Sequence, residues 1–207
     1  MRVLPLLLAT ALAGAPALAH DAAHHHPAAA ADQASSEATG VQVKLNPATL
    51  LDQQGRRVGF PDELFAGRIA IVDFVYTDCT TLCPLFSGIF ADLQTRLGDR
   101  LGNQFVLVSI SIDPTTDTPP RLKRYAERFE AGPGWLWITG AKPEIDRVLK
   151  GLGAYVPDFT RHPGAVLIGD TKSGRWTRLY GTPAVGEIER AAETFLAARV
   201  AEAGTPR

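Results

Sequence analysis

From Val41 onwards the chain alternates between two hydrophobic rhythms. Residues 69–76, IAIVDFVY, are apolar almost without interruption, the pattern of a central strand buried on both faces. Residues 105–112, FVLVSISI, repeat it. Between them Phe86, Ile89, Phe90, Leu93 and Leu97 recur at intervals of three and four, which lines up one apolar helical face. Pro84 stands at the start of that helix, where its missing N–H costs nothing. Upstream, VQVKL alternates as a strand does, and DQQGRRVGF carries a turn at Gly55 and reads as a hairpin. Thr118 and Pro119 open a further helix with Leu122, Tyr125, Ala126 and Phe129 on one face. WLWI predicts a short strand, 143–151 a short helix, AVLIGD and RWTRLYG a second hairpin about the turn Thr171–Gly174. Ile188, Ala191, Ala192 and Phe195 mark a last helix.

Strands alternating with helices imply βαβ units. The expected class is α/β: a thioredoxin-like fold, a mixed central sheet with helices on both faces and an N-terminal hairpin, over residues 41–201. The loop between the first central strand and its helix then lies at the carboxyl end of the sheet, where α/β folds place their sites. Trp135, Trp137 and Trp176 read as packing residues. Asp73 interrupts a buried strand, and capping of a neighbouring loop is its expected role, with tuning of a thiol as the other reading.

Residues 1–19 start with Arg2, continue through an apolar segment and end in Ala17-Leu18-Ala19, which reads as a cleaved signal peptide. A membrane anchor is the rival reading. Residues 20–40, HDAAHHHPAAAADQASSEATG, are rich in Ala, His and Ser with no large apolar side chain, so a flexible linker is expected. His20 and His24 to His26 fall there and could bind a transition metal. The expected location is the periplasm. A net charge of −1 offers nucleic acid or an anionic membrane no attractive field, and membrane contact is expected only through a client or an uncleaved signal.

The chain has two cysteines, Cys79 and Cys83, in DCTTLCP. An oxidising compartment favours a disulfide, yet a bridge over so short a loop removes little chain entropy. The pair therefore points to chemistry. Cys83 precedes Pro84 at a helix N-terminus, where the dipole favours a thiolate. Thiolates attack disulfides, and as soft ligands they bind Cu(I) or Zn(II). A metal needs a third donor. The one methionine, Met1, lies in the signal, and His162 is the one histidine beyond residue 26. It precedes the AVLIGD strand, whose leading loop faces the cysteine loop in a thioredoxin-like fold. Cys79, Cys83 and His162 are thus the expected metal ligands, and Cys79 and Cys83 also a redox-active pair. Asp78, beside Cys79, reads as a turn residue.

FVYTDCTTLCP, VSISIDPTTDTPPRLKRYAERF, WLWITG and the later His162 together resemble the Sco/SenC family of copper proteins over residues 41–200. The resemblance implies copper, Cu(I) or Cu(II), held by Cys79, Cys83 and His162. It implies assembly of the CuA centre of cytochrome c oxidase, by delivering copper, by reducing that site's cysteines, or by both. The implied partners are oxidase subunit II or another cuproenzyme, and a periplasmic thiol reductant. Thr80, Arg161 and Pro163 depart from the residues many members carry there. Two other functions fit the residues: a metal-independent thiol-disulfide oxidoreductase, and a copper store based on the histidine tail.

Overall fold

A computed structural model of the protein describes residues 36–203. The expected signal peptide and the tail histidines lie outside the described residues.

The two apolar runs form adjacent parallel strands, β4 (Ile69–Val75) and β5 (Phe105–Ser111), every residue of which is buried. They sit inside a six-stranded sheet of order β1-β8-β7-β4-β5-β6. Here β1 is Ser36–Thr39, β6 is Trp135–Ile138, β7 is Ala165–Asp170 and β8 is Arg175–Tyr180. Strands β4, β5 and β6 run parallel, and β7, β8 and β1 add antiparallel neighbours. The sheet is therefore mixed, as expected. A separate hairpin, β2 (Ala48–Leu51) with β3 (Arg57–Phe60), turns at Gly55. That glycine has φ +78°, a conformation that suits a residue without Cβ. The Asp52 carboxylate accepts from the Gln54 and Arg56 N–H groups across the turn.

Period-two burial in the sheet divides the core into two layers. On one face Ile69, Ile71 and Val75 meet Phe86, Phe90 and Leu93 of α2 (Leu82–Leu97), Leu122 and Tyr125 of α3 (Pro119–Glu127), and Ile188 and Ala192 of α5 (Val185–Ala203). On the other, Ala70, Val72 and Phe74 meet Leu64 and Phe65 of α1 (Asp62–Phe65) and Ile145, Val148 and Leu149 of α4 (Lys142–Gly151). Helices thus cover both faces. Trp135, Trp137 and Trp176 are core residues, at most 2% exposed, and the first two stack with centroids 5.1 Å apart.

Three expectations change. The domain starts earlier than Val41: Ser36–Thr39 already pairs with β8 through its backbone, and its mostly polar side chains, one of which accepts from the Thr177 hydroxyl, carry no apolar strand pattern. VQVKL is no strand. It is an extended strap that gives its N–H groups to single carbonyls, Val41 to Trp176 and Lys44 to Gly151, while Val41, Val43 and Leu45 pack on the core. One-sided burial produces the same alternation as a strand without a ladder. Asp73 caps no loop: it is 1% exposed and neither carboxyl oxygen has a hydrogen-bond partner. Burial raises its pKa to about 7, and Ser109, opposite it in register, pulls it down only in part.

Among the described residues no helix is long and apolar enough to cross a membrane.

Candidate functional site

The loop from Tyr76 to Thr81 leaves the carboxyl end of β4 and feeds α2. Cys79 lies on the loop and Cys83 is the second residue of the helix. Both are free thiols, 7% and 6% exposed. The Cys83 N–H donates to the Cys79 Sγ at 3.3 Å, so one of the orphan donors of the helix N-terminus is aimed at the other cysteine. His162 follows a 3-10 turn, Phe159–Arg161, on the loop before β7, and its ring packs tilted on Phe74 with centroids 5.3 Å apart. Cys79, Cys83 and His162 line one cavity of about 50 Å³, with Tyr76 and Phe86 among its walls.

The two thiols are unlike. Burial pushes the Cys79 thiol up, but hydrogen bonds from the Cys83 thiol and N–H, from the Thr81 N–H and from the Tyr76 hydroxyl outweigh it and bring the pKa down to about 7. Burial pushes the Cys83 thiol up, and its bond to Cys79 pushes it further. From sequence, the helix terminus is expected to serve the Cys83 sulfur. The structure gives it to the Cys79 sulfur, which accepts from the Cys83 N–H. Burial, then the bond to Cys79, holds the Tyr76 hydroxyl protonated, with a pKa of about 12. Burial also lowers the His162 pKa, against a hydrogen bond to the Ala154 carbonyl that raises it. A lowered pKa favours the neutral imidazole, the form with a free lone pair for a metal.

This asymmetry has a measurable outcome. In the reduced protein, alkylation by iodoacetamide should fall on Cys79 first. Its rate should climb tenfold for each pH unit below about 7 and level off above about 8, because only the thiolate reacts. Peptide mass mapping over pH 5–9 checks it, and equal labelling of both cysteines at pH 7 would contradict it.

Two buried sulfurs and one neutral imidazole are a soft donor set suited to Cu(I). The fit is one of chemistry and placement. Among the described residues no group of three His, Cys, Asp or Glu side chains stands at metal-ligating spacing, so the three donors share a cavity wall without closing a coordination shell. Of the other residues weighed from sequence, Asp78 pairs with Arg121, and Arg161 is exposed. Tyr76 and Phe86 were missed as site residues. Both carry the periodic signal of core positions, and nothing in the sequence separates a cavity wall from a core wall.

The SCO1/SenC family model matches residues 36–181. The chain belongs to that family. The SCO1 protein homolog of Bacillus subtilis is 32% identical over 117 residues, which is 55% of this chain and 58% of that protein. Across the first three curated relatives, the match spans 50–58% of their own length. Among solved structures, Bradyrhizobium japonicum ScoI with copper bound superposes with a TM-score of 0.60 at 24% identity, covering 73% of this chain and 99% of that one. BsSco, described with a disulfide switch and as a member of the Sco family of cytochrome c oxidase assembly proteins, gives 0.59 at 24% identity, covering 74% and 96%. At these identities the structural likeness establishes the fold, and the family supplies the expected thioredoxin-like description of it.

Proposed function

We propose that this SCO1/SenC protein binds copper as cargo through Cys79, Cys83 and His162, and passes it to the CuA site of cytochrome c oxidase subunit II or to another cuproenzyme outside the cytoplasm. The observation that carries the proposal is the convergence of two buried sulfurs and a neutral imidazole on one small cavity at a helix N-terminus. The copper-bound ScoI and the assembly role stated for BsSco support it. Closing the shell requires the His162 ring or the Cys79 loop to shift toward the other donors. The apolar walls from Phe74 and Phe86 exclude water from the sulfurs, which favours the monovalent ion over a hydrated divalent one. The signal-like residues 1–19 support export to the periplasm.

The same cysteines can reduce a client disulfide. Cys79 thiolate attacks one client sulfur and the client's second sulfur leaves as a thiolate. Cys83, losing its proton to solvent, then displaces the first client sulfur. The client gains two electrons and two protons as a dithiol, and Cys79–Cys83 ends as a disulfide, to be reset by a thiol reductant. The division into a low-pKa attacking thiol and a high-pKa resolving thiol favours this second reading.

The test is anaerobic titration of the reduced protein with Cu(I) against a chromophoric chelator, followed by mixing with the soluble CuA domain of subunit II. One equivalent of copper per chain, transferred to that domain, is expected. A reduced protein that takes up no copper yet still reduces the domain's disulfide would replace delivery by the second reading.

A further inference from the structure

The hydrogen bonds that anchor Thr77 and Asp78, the two residues before Cys79, come from one neighbouring segment. Asp117, fully buried, lies in the turn between β5 and α3. Its Oδ1 accepts from the Thr77 N–H at 3.1 Å and from the Thr77 hydroxyl at 2.6 Å. Its Oδ2 accepts from the Ser111 hydroxyl at 2.7 Å. Arg121, one turn into α3, donates from Nε to the same Thr77 hydroxyl at 3.0 Å and pairs with Asp78. The turn is itself fixed, since the N–H of Asp117 donates to the Asp113 carbonyl at 2.9 Å. The Cys79 loop is thus held at its N-terminal half by a buried carboxylate and an arginine, and at its C-terminal end by α2.

We propose that Asp117, with Arg121, is a positioning residue for the dithiol: by fixing Thr77 it holds the Cys79 sulfur against the N-terminus of α2 and so sets the effective concentration of Cys79 relative to Cys83. The physical cause is chain entropy. Two bonds from Thr77 to one carboxylate, with the Arg121 guanidinium on the same hydroxyl, fix both its backbone and its side chain. Residues 78–81 then bridge two fixed ends, Thr77 and the helix. Releasing one end restores several dihedrals that must be frozen again each time the sulfurs act together. Both events that use the sulfurs jointly, closure of the disulfide and chelation of a metal, become harder by the same cause. A carboxylate is required. An asparagine in its place offers one acceptor and two N–H groups to a site lined by three donors.

The proposal rests on the cysteines acting as a pair and is tested without copper. The full-length protein is equilibrated with glutathione, in which dithiol plus oxidised glutathione gives protein disulfide plus two reduced glutathione. Asp117→Asn should lower this equilibrium constant at least fivefold. Thr77→Val, which deletes the hydroxyl but keeps the side-chain shape, should lower it about as much, and the double variant should fall little further, because both break one clamp. Ser111→Ala removes a partner of Asp117 that does not touch the loop. It should lower the melting temperature while leaving the constant within twofold. A folded Thr77→Val protein with an unchanged constant overturns the proposal, as does a Ser111→Ala effect as large as that of Asp117→Asn. If Asp117→Asn does not fold, Thr77→Val and Ser111→Ala decide the matter alone. Wild type that binds no copper would sink the delivery function and leave this result standing.

Discussion

Replacing His162 by alanine is expected to weaken Cu(I) binding at least a hundredfold, roughly 2.8 kcal/mol at tenfold per 1.4 kcal/mol. The disulfide equilibrium with glutathione should stay within twofold of wild type. The two outcomes separate because the imidazole shares a cavity with the sulfurs but makes no bond to either among those described. Cys79→Ala and Cys83→Ala should each abolish both properties. The experiment is chelator competition on the reduced variants beside a glutathione titration. Unchanged copper affinity in His162→Ala would remove the third ligand and leave a two-sulfur site. A large change in the disulfide equilibrium would show instead that the ring supports the loop, acting through Phe74.

The largest effect on stability is expected far from the site. Gly151 ends α4, and its carbonyl accepts from the Lys44 N–H at 2.8 Å. A Cβ built on Gly151 would lie 2.1 Å from the Lys44 carbonyl oxygen, an approach that no side-chain rotation relieves because the obstacle is backbone. Gly151→Ala should therefore lift the 41–47 strap off the core and strip cover from Val43 and Leu45. Overpacking of this kind costs about 3 kcal/mol. In a domain of this size that corresponds to a fall in melting temperature of roughly 6–12 °C. Thermal unfolding followed by circular dichroism checks it. Gly174→Ala is the control: its Cβ would meet nothing within 4 Å, and its φ of +70° confines the effect to backbone strain at the turn.

The core strands could be read directly because burial on both faces leaves no room for polar residues. IAIVDFVY and FVLVSISI became β4 and β5 almost residue for residue. The helices were legible from the three-and-four spacing that packing on a sheet imposes. The edges were not. Ser36–Thr39 forms a strand chiefly through its backbone, and no apolar pattern advertises it. The VQVKL strap imitates a strand because its alternation records which side faces the core, and says nothing of where its N–H groups go. At the site, the scarcity of Cys and His made the three donors stand out, and the structure places them around one cavity. What spacing could not reveal is orientation. The helix terminus serves the sulfur of Cys79 because of where one N–H points. Likewise Asp73 looked like a capping residue by type, and only burial shows it as a carboxyl with no partner.

The first strand bears on how the protein can be cut. A fragment beginning at Val41, where the hydrophobic pattern begins, would discard β1 whole. The outer backbone of β8 that now meets Ser36–Thr39 would become a bare row of donors and acceptors, and Thr177 would lose its bonds to Glu37 and to the Ala38 carbonyl. An open edge of this kind recruits other strands. Three polar residues and an alanine thus act as a guard rail, replacing the longer β8 edge with a short, mostly polar one.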